Sequence, residues 1–402
     1  MSNILYINTV DYPSNAIAKV IDNLRAGLKD TNRNSIFAVG RHAEGGSADI
    51  SIGNSCDMFS HTIFSRLFDS EGRHSINATK RFINCVEKQN IELIHIHNLH
   101  GHYINYPLLF EWIKNNNIPT IITLHDCWLL TGHCATYHHN GCSVPSQCEI
   151  CTKHNDEYPN SWLPVSITKN RYKNIILKKE NIFSLDNVHF VTVSEWLKNE
   201  VLKSGLTERI SVIPNGVDTT LFNPTNIKKS NDKFKILFIT NNWESWKRLD
   251  TVLNFAKTLH NDETITLVGN VYGKKLPNNI LHIKNISNQE ELVNLYRSHD
   301  LFISPSDAET FGMTTAEAMA CGLPVIVNNS AGLPELISEK SGITTDTSVP
   351  SSLRAAVDFI KINYNQFSPT EHINSHFSAE IMCKRYVNLY NCLKKNIKNL
   401  AV

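Results

Sequence analysis

The sequence predicts an α/β protein made of two parallel sheets, each interleaved with helices. Short apolar runs alternate with helical segments of about 10–15 residues along the chain, which is the pattern of βαβ units. The alternation stops at a polar stretch, 219–233, and then begins again. The length of 402 residues agrees, being too long for one ordinary core and suited to two domains of roughly 150–200 residues.

In the first half, residues 3–10 read as a buried strand, 16–30 as a helix and 34–39 as a second strand. A helix over 79–90, a strand over 91–98, a helix over 107–117 and a strand over 119–126 follow. The half closes with a strand and helix over 188–205 and a last strand-like run over 210–218. The divider, TTLFNPTNIKKSNDK, is polar, carries a proline and has no clear period, as a linker would. The second half then reads strand 234–240, helix 248–260, strand 264–270, helix 288–299, strand 300–306, helix 315–322 and strand 324–329. The expected organisation is an N-terminal domain over 1–218, a linker over 219–233 and a C-terminal domain over 234–375. A final helix over 376–402 is expected to pack back on the N-terminal domain. In two facing sheets of this type, ligands sit beyond the carboxyl ends of the strands, so motifs that follow strands carry the most weight.

Composition narrows the partners. The chain has 39 basic and 38 acidic side chains, so it has no global positive field and nucleic acid is not an expected partner. No apolar run approaches the roughly 20 residues that cross a bilayer. The N-terminus lacks the charged start and long apolar core of a signal peptide. These features predict a cytoplasmic chain, in which cysteines do not form a disulfide framework.

The strongest chemical signal is SPSDAETFGMTTAEAMACGLPVIV, residues 304–327. Glu309 falls in the loop after a strand, and Glu317 falls in the first turns of the next helix. Phe311, Gly312 and Met313 precede that helix, where free backbone N–H groups and the helix dipole suit a diphosphate. Gly312 permits close approach of a ligand to the backbone. A carboxylate at Glu317 can accept hydrogen bonds from the vicinal hydroxyls of a ribose. The plain alternative is that both are solvated carboxylates at a helix start.

With its whole context, the segment resembles the signature of the retaining glycosyltransferases of family four, the group-one type with a GT-B fold of two Rossmann-like domains facing across a cleft. Two glutamates with seven residues between them lie there inside a Phe-Gly and Glu-Ala-x-Ala-x-Gly-x-Pro frame. The resemblance implies that Glu317 binds donor ribose, that Glu309 sits by the donor sugar and that residues 311–313 meet sugar and phosphate. VTVSEWLKNEV and VIPNGVDTTLFNP resemble the family's interdomain segment. WESWKRLD resembles its Lys-Gly segment and makes Lys247 the expected diphosphate cation. By composition alone, Lys247 would be a solvated surface lysine. Two departures stand out. Asn241 and Asn242 occupy the place of the family's arginine, and Arg248, in place of a glycine, could restore that charge. Ser14 and Asn15 stand where a Gly-Gly pair follows the first strand, on the expected acceptor side.

IITLHDCWLLTGHC, 121–134, resembles a segment common in the family. It points to His125 as a hydrogen-bonding partner of the donor sugar and to Asp126 as a residue that orients it or shapes the acceptor pocket. A buried histidine satisfied by the backbone is the alternative. Asn98, His100 and Gly101 follow another strand and are further acceptor-side candidates. The resemblance also implies retention of anomeric configuration, with Lys247, Arg248 and the N–H groups near Gly312 stabilising the leaving diphosphate by electrostatic preorganisation. No Asp-x-Asp motif follows a strand, so no catalytic metal or other required cofactor is expected.

Cys127, Cys134, Cys142, Cys148 and Cys151 cluster in an insertion over 127–151. Cys134, Cys142, Cys148 and Cys151 could hold a structural zinc, or all could be free buried thiols. The insertion resembles one found in enzymes of this family that build bacterial surface polysaccharides such as colanic acid. The expected partners are therefore a UDP- or GDP-linked sugar and a glycan or polyprenyl-linked oligosaccharide. An epimerase or a non-catalytic sugar-nucleotide binder of the same fold is the alternative. The segment 167–183 mixes Lys169, Arg171, Lys173, Lys178 and Lys179 with Ile175, Ile176, Leu177 and Phe183. It is either a basic patch for peripheral contact with the inner membrane face or an amphipathic helix packed on its own domain.

Overall fold

A computed structural model of the chain describes residues 2–29, 31–137, 166–168, 171–225, 233–286 and 288–400. It divides into two compact units, Met1–Pro214 with Cys383–Val402, and Asn215–Met382.

The first unit contains β1 (Ser2–Val10), α1 (Ala16–Gly27), β2 (Arg33–Arg41), β3 (Ile50–Ser51), α2 (Ser55–Phe68), α3 (Ile76–Val86) and β4 (Ile91–Ile96). It continues with α4 (Tyr106–Asn115), β5 (Thr120–Leu124), α5 (Arg171–Lys178), β6 (Val188–Thr192), α6 (Glu195–Ser204) and β7 (Ile210–Val212). Its strands form one sheet in the order β3-β2-β1-β4-β5-β6-β7. The second unit contains β8 (Phe234–Asn242), α7 (Leu249–Phe255), β9 (Glu263–Asn270), β10 (Ile280–Ile283), α8 (Gln289–Arg297) and β11 (Leu301–Ser304). After them come α9 (Met313–Ala320), β12 (Val325–Asn328), β13 (Gly342–Thr345), α10 (Pro350–Ile362) and α11 (Pro369–His376). Its sheet runs β10-β9-β8-β11-β12-β13. Every strand pair is parallel.

The central strands are buried on both faces, which explains why they read as continuous apolar runs. Ile4, Leu5, Tyr6 and Ile7 of β1 are fully buried. In the second unit Ile236, Phe238, Leu267, Leu301, Ile303 and Ile326 from the sheet meet Val252, Phe255, Leu353 and Val357 from α7 and α10. Each such side chain contributes roughly 1.5–3 kcal/mol by leaving water.

Several elements stop earlier than the apolar pattern does. β7 ends two residues before Pro214, and β11 ends just before Pro305, because proline has no N–H for the ladder. Helix α9 begins at Met313, two residues ahead of the expected start, because Gly312 at φ 96° turns the chain into it. The second helix, α2, escapes the periodic reading because it turns apolar side chains outward, with Phe59 69% and Phe68 51% exposed.

The last helix, α12 (Ala379–Leu400), carries the chain from the second unit back into the first. Tyr390 Oη lies 2.8 Å from His95 Nδ1 on β4, and Tyr386 Oη lies 2.8 Å from Thr123 Oγ1 on β5. Lys394 Nζ pairs with Glu92 at 2.7 Å. The change of unit falls between Pro214 and Asn215 rather than within the polar stretch 219–233, and Cys383 begins the returning segment.

Among the described residues of segment 167–183, Arg171 and Lys178 are turned inward, as in the packed-helix alternative. Helix α5 buries Arg171, Asn174, Ile175 and Lys178, and Phe183 is buried beyond it. Lys178 Nζ donates to the carbonyls of Trp128 and Thr131 at 2.5 and 2.8 Å and lies 3.5 Å from the Trp128 ring centroid. Of the cations in question, Lys173 and Lys179 are exposed, while Lys169 lies outside the described residues. Among the described residues no helix is long and apolar enough to cross a membrane.

Candidate active site

In the second unit, the loops after β8 and β11 are stitched together. The 3₁₀ turn Ser245–Lys247 follows β8, and its Trp246 carbonyl accepts the N–H of Asp307 at 2.9 Å. Lys247 reaches across to Glu309 and forms a direct ion pair, its ammonium 3.9 Å from the Trp246 ring centroid. Glu309 is anchored through its own carbonyl, which accepts the Gly332 N–H at 2.8 Å.

Phe311 is buried, Gly312 is the N-cap of α9 and Met313 opens that helix. Gly312 is favoured mainly by its backbone conformation. Its φ of 96° is strained for any residue with a side chain, and a Cβ there would stand 2.6 Å from Leu333 Cδ2. Gly312→Ala is therefore expected to cost about 1–3 kcal/mol in the second unit and to displace the 311–313 N–H groups. A melting temperature within 1 °C of wild type, roughly 0.3 kcal/mol for a unit of this size, together with unchanged nucleotide affinity, would refute this.

Glu317 is buried on α9 and accepts the hydroxyl of Tyr296 at 3.2 Å. Burial first, and then Glu317, push the Tyr296 phenol well up, so it stays a donor to the carboxylate. One carboxylate oxygen thus has a protein partner, which composition did not indicate. Arg248 pairs with Asp250 and Asp307 at 3.1 Å each. These pairs raise its pKa further, Asp250 contributing most, against the effect of burial.

In the first unit, His97, Asn98, His100, His125, Asp126 and Trp128 help line a small, partly open pocket beyond the ends of β4 and β5. His125 Nε2 lies 2.9 Å from His97 Nδ1. Burial brings the His125 pKa down to about 4, with Asp126 pulling it up and His100 pushing it down. His125 is therefore a neutral imidazole near pH 7. His100 Nε2 and Asp126 Oδ2 are 2.9 Å apart, and Asp126 Oδ1 accepts the Trp128 N–H at 2.8 Å. Burial opposes charge on both, but their mutual attraction outweighs it, raising His100 and lowering Asp126. The two groups favour each other's charged forms beside a neutral His125.

The glycine-less loop after β1 is shaped by a residue that motif reading passed over. Asp11 is buried and accepts the N–H groups of Ala43 and Ala48 at 2.8 and 3.1 Å and His42 Nδ1 at 2.6 Å. Asn15 is occupied as the N-cap of α1, accepting from Ile17 and Ala18, and Ser14 is exposed.

Cys134 is half-buried, while Cys142, Cys148 and Cys151 lie outside the described residues. Among the described residues His260, Glu263 and Asp358 form a group with metal-ligand spacing. Arg354 already bonds Glu263 at 2.7 and 2.8 Å and Asp358 at 2.5 Å, so a guanidinium supplies the positive charge there.

Two family models cover nearly the whole chain. Glycosyltransferase Family 4 matches residues 18–221, and Glycosyl transferases group 1 matches residues 223–368. The chain belongs to this glycosyltransferase family. Among individual relatives, it is 31% identical over 176 residues to a D-inositol 3-phosphate glycosyltransferase of Paenarthrobacter aurescens, covering 38% of this chain and 43% of that protein. The match thus spans less than half of that relative's length. It is 22% identical to WcaC, described as a colanic acid biosynthesis glycosyl transferase of Escherichia coli strain K12, over 88% of this chain and 91% of that one. Among solved structures, sucrose-phosphate synthase from Thermosynechococcus elongatus superposes with a TM-score of 0.69 at 15% identity, covering 98% of this chain and 99% of that one. Anabaena Alr3699/HepE, solved with UDP-glucose, gives 0.68 at 13% identity, covering 98% and 100%. These likenesses establish the GT-B fold of the family 4 chain, with its two parallel α/β units.

Proposed function

We propose that the chain is a retaining, metal-independent transferase that moves a hexose-type sugar from a UDP- or GDP-linked donor to a glycan or polyprenyl-linked oligosaccharide in bacterial surface polysaccharide synthesis. The observation that carries this reading is the joining of Lys247, Glu309 and the 311–313 backbone around the start of α9. A diphosphate there would meet an ammonium and helix-terminal N–H groups, which favour its departure as a leaving group. Glu317 would take the ribose with Tyr296 holding it, and Glu309 would lie by the sugar. The neutral His125 would hydrogen-bond a sugar hydroxyl, with Asn98, His100 and Asp126 on the acceptor side. A donor phosphate oxygen would take the proton of the attacking hydroxyl. The resemblance to WcaC supports the polysaccharide assignment, and the UDP-glucose bound to HepE supports a nucleotide-sugar donor. Metal independence rests on the sequence, which has no Asp-x-Asp pair. A structural zinc at Cys134, Cys142, Cys148 and Cys151 remains part of the proposal, as does peripheral contact with the inner membrane face. Support for that contact now comes from α2, which exposes Phe59, Ile63, Phe64, Leu67 and Phe68 beside Arg66.

The test is a thermal-shift screen of UDP-, GDP-, ADP- and TDP-sugars, followed by a transfer assay with the binding donor, each with and without EDTA. A UDP- or GDP-sugar is expected to raise the melting temperature by several degrees, and EDTA is expected to leave transfer within about twofold. Tenfold restoration of chelated enzyme by Mg²⁺ would refute metal independence. Conversion of donor to its epimer or to free sugar, without a glycoside product, would refute the transferase reading.

A further inference from the structure

The cation proposed to hold the donor's diphosphate is already engaged. Lys247 and Glu309 form a direct, half-buried ion pair, their side chains 17% and 21% exposed. The neighbouring guanidinium is paired too, Arg248 being shared between Asp250 and Asp307. A diphosphate arriving at the start of α9 therefore finds Lys247 neutralised by a carboxylate.

The backbones around both partners are fixed while their side-chain ends can move. The Asp307 N–H holds the Trp246 carbonyl, and the Gly332 N–H holds the Glu309 carbonyl, so the two loops keep their spacing. Lys247 has a flexible four-carbon stem, and the Trp246 face at 3.9 Å gives its ammonium a resting surface that a change of partner need not disturb. Glu309 has two possible kinds of partner, the ammonium of Lys247 and the hydroxyls of a donor sugar.

Resting on the donor-site reading above, we propose that Glu309 and the donor diphosphate alternate on Lys247, and that the donor sugar drives the exchange by giving Glu309 another partner. With an intact nucleotide sugar, the diphosphate takes Lys247 and Glu309 turns to the sugar hydroxyls, so both charges stay satisfied. A nucleoside diphosphate alone takes Lys247 but leaves Glu309 without a partner, and a half-buried carboxylate so placed is unfavourable. Once the sugar has been transferred, Glu309 reclaims Lys247 and the nucleoside diphosphate is released. The pair thus discriminates donor from spent product through a single carboxylate.

The exchange predicts a specific pattern of affinities. Glu309→Gln removes the competing charge and keeps the size of the side chain. UDP and GDP serve as probes, with dissociation constants measured by calorimetry for the free diphosphate and for its sugar adduct. The diphosphate that binds wild type is expected to bind Glu309→Gln about fivefold more tightly, the scale of one partly exposed ion pair. The sugar adduct should bind no more tightly than to wild type. In a Lys247→Ala background, Glu309→Gln should leave the diphosphate affinity unchanged, because no cation remains to compete for. Far-UV circular dichroism and melting temperature check that each variant is folded, and Glu309→Ala provides a second route to the same comparison. If a diphosphate binds wild type but binds both Glu309 variants no more tightly, the exchange is overturned while the donor site stands. An equal gain for diphosphate and sugar adduct also overturns it. If neither UDP nor GDP binds wild type, with or without sugar, the donor-site reading falls and the exchange falls with it.

Discussion

At pH 5 the first unit is expected to be on the order of several kcal/mol less stable than at pH 7.5. The cause is a set of histidines that the fold keeps neutral. Burial brings His61 down to about 2, with His102 and His74 adding to the effect, and brings His125 down to about 4. His95 and His97 are also lowered well below their ordinary value by burial, then by neighbouring histidines. In the unfolded chain each titrates near 6.5. As pH falls below that value, the unfolded state takes up protons that the folded state refuses, so stability declines. For His125 the loss accumulates down to about pH 4, and for His61 it continues to about pH 2. His100 works in the opposite direction. Asp126 raises it, so its contribution is present at low pH and fades as pH rises through its folded value. The histidines of the other sign outweigh it, His74, His102 and His189 being lowered as well. Lowered carboxylates such as Asp126 and Glu92 add their own loss only when the pH reaches the carboxylate range. Urea melts at pH 7.5, 6.5, 5.5 and 5.0, followed by the fluorescence of the first unit's tryptophans, provide the measurement. An unchanged midpoint across that series would show that these histidines are not buried neutral.

Lys178→Glu is expected to prevent stable folding of the first unit, and Lys178→Met to cost about 2–4 kcal/mol. Lys178 is 1% exposed and its ammonium satisfies the carbonyls of Trp128 and Thr131. Methionine keeps an apolar stem of similar length but leaves both carbonyls without that donor, at about 1–3 kcal/mol for a buried group. Glutamate adds a buried charge directed at two acceptors, one of the costliest changes a core can suffer. Lys173→Glu and Lys179→Glu, on exposed positions nearby, should stay within about 0.5 kcal/mol of wild type. Chemical denaturation of the four variants decides the matter. A Lys178→Met protein as stable as the surface variants would mean that the ammonium is not structural.

The contrast between Lys178 and its neighbours shows where the sequence becomes ambiguous. A stretch of five cations among apolar residues is compatible with a membrane-facing surface and with a helix that buries some of its cations. Local composition is the same in both cases, and the outcome depends on whether carbonyls from elsewhere accept the ammonium. Helix α2 shows the reverse. Its phenylalanines look like core material in a composition count, yet Phe59 and Phe68 are exposed.

The residues that follow strands were legible because their position is a local property. The sheet strands declare themselves by apolar runs, and Glu309, Gly312, His125 and His100 stand directly beyond them. Gly312 in particular is tied to the left-handed turn that starts α9. Their charge partners were not legible. Tyr296 and Asp11 belong to no motif, and Asp307 lies in one without a role it would announce; they matter because folding sets them against Glu317, the 42–48 loop and Arg248.

By itself the sequence determined the two series of βαβ units, the order of their strands along the chain and the loops that carry the motif residues. Those depend on period and on the residues at strand ends, which are short-range features. Tertiary structure alone decided which charges remain available. Lys247 meets Glu309 across 62 residues, Arg248 meets Asp307 across 59, Lys178 meets the Trp128 carbonyl across 50 and Tyr390 meets His95 across 295. No spacing rule reaches that far, because such pairs form only when the fold packs distant loops, helices and strands together. Burial then determines whether each group holds its charge.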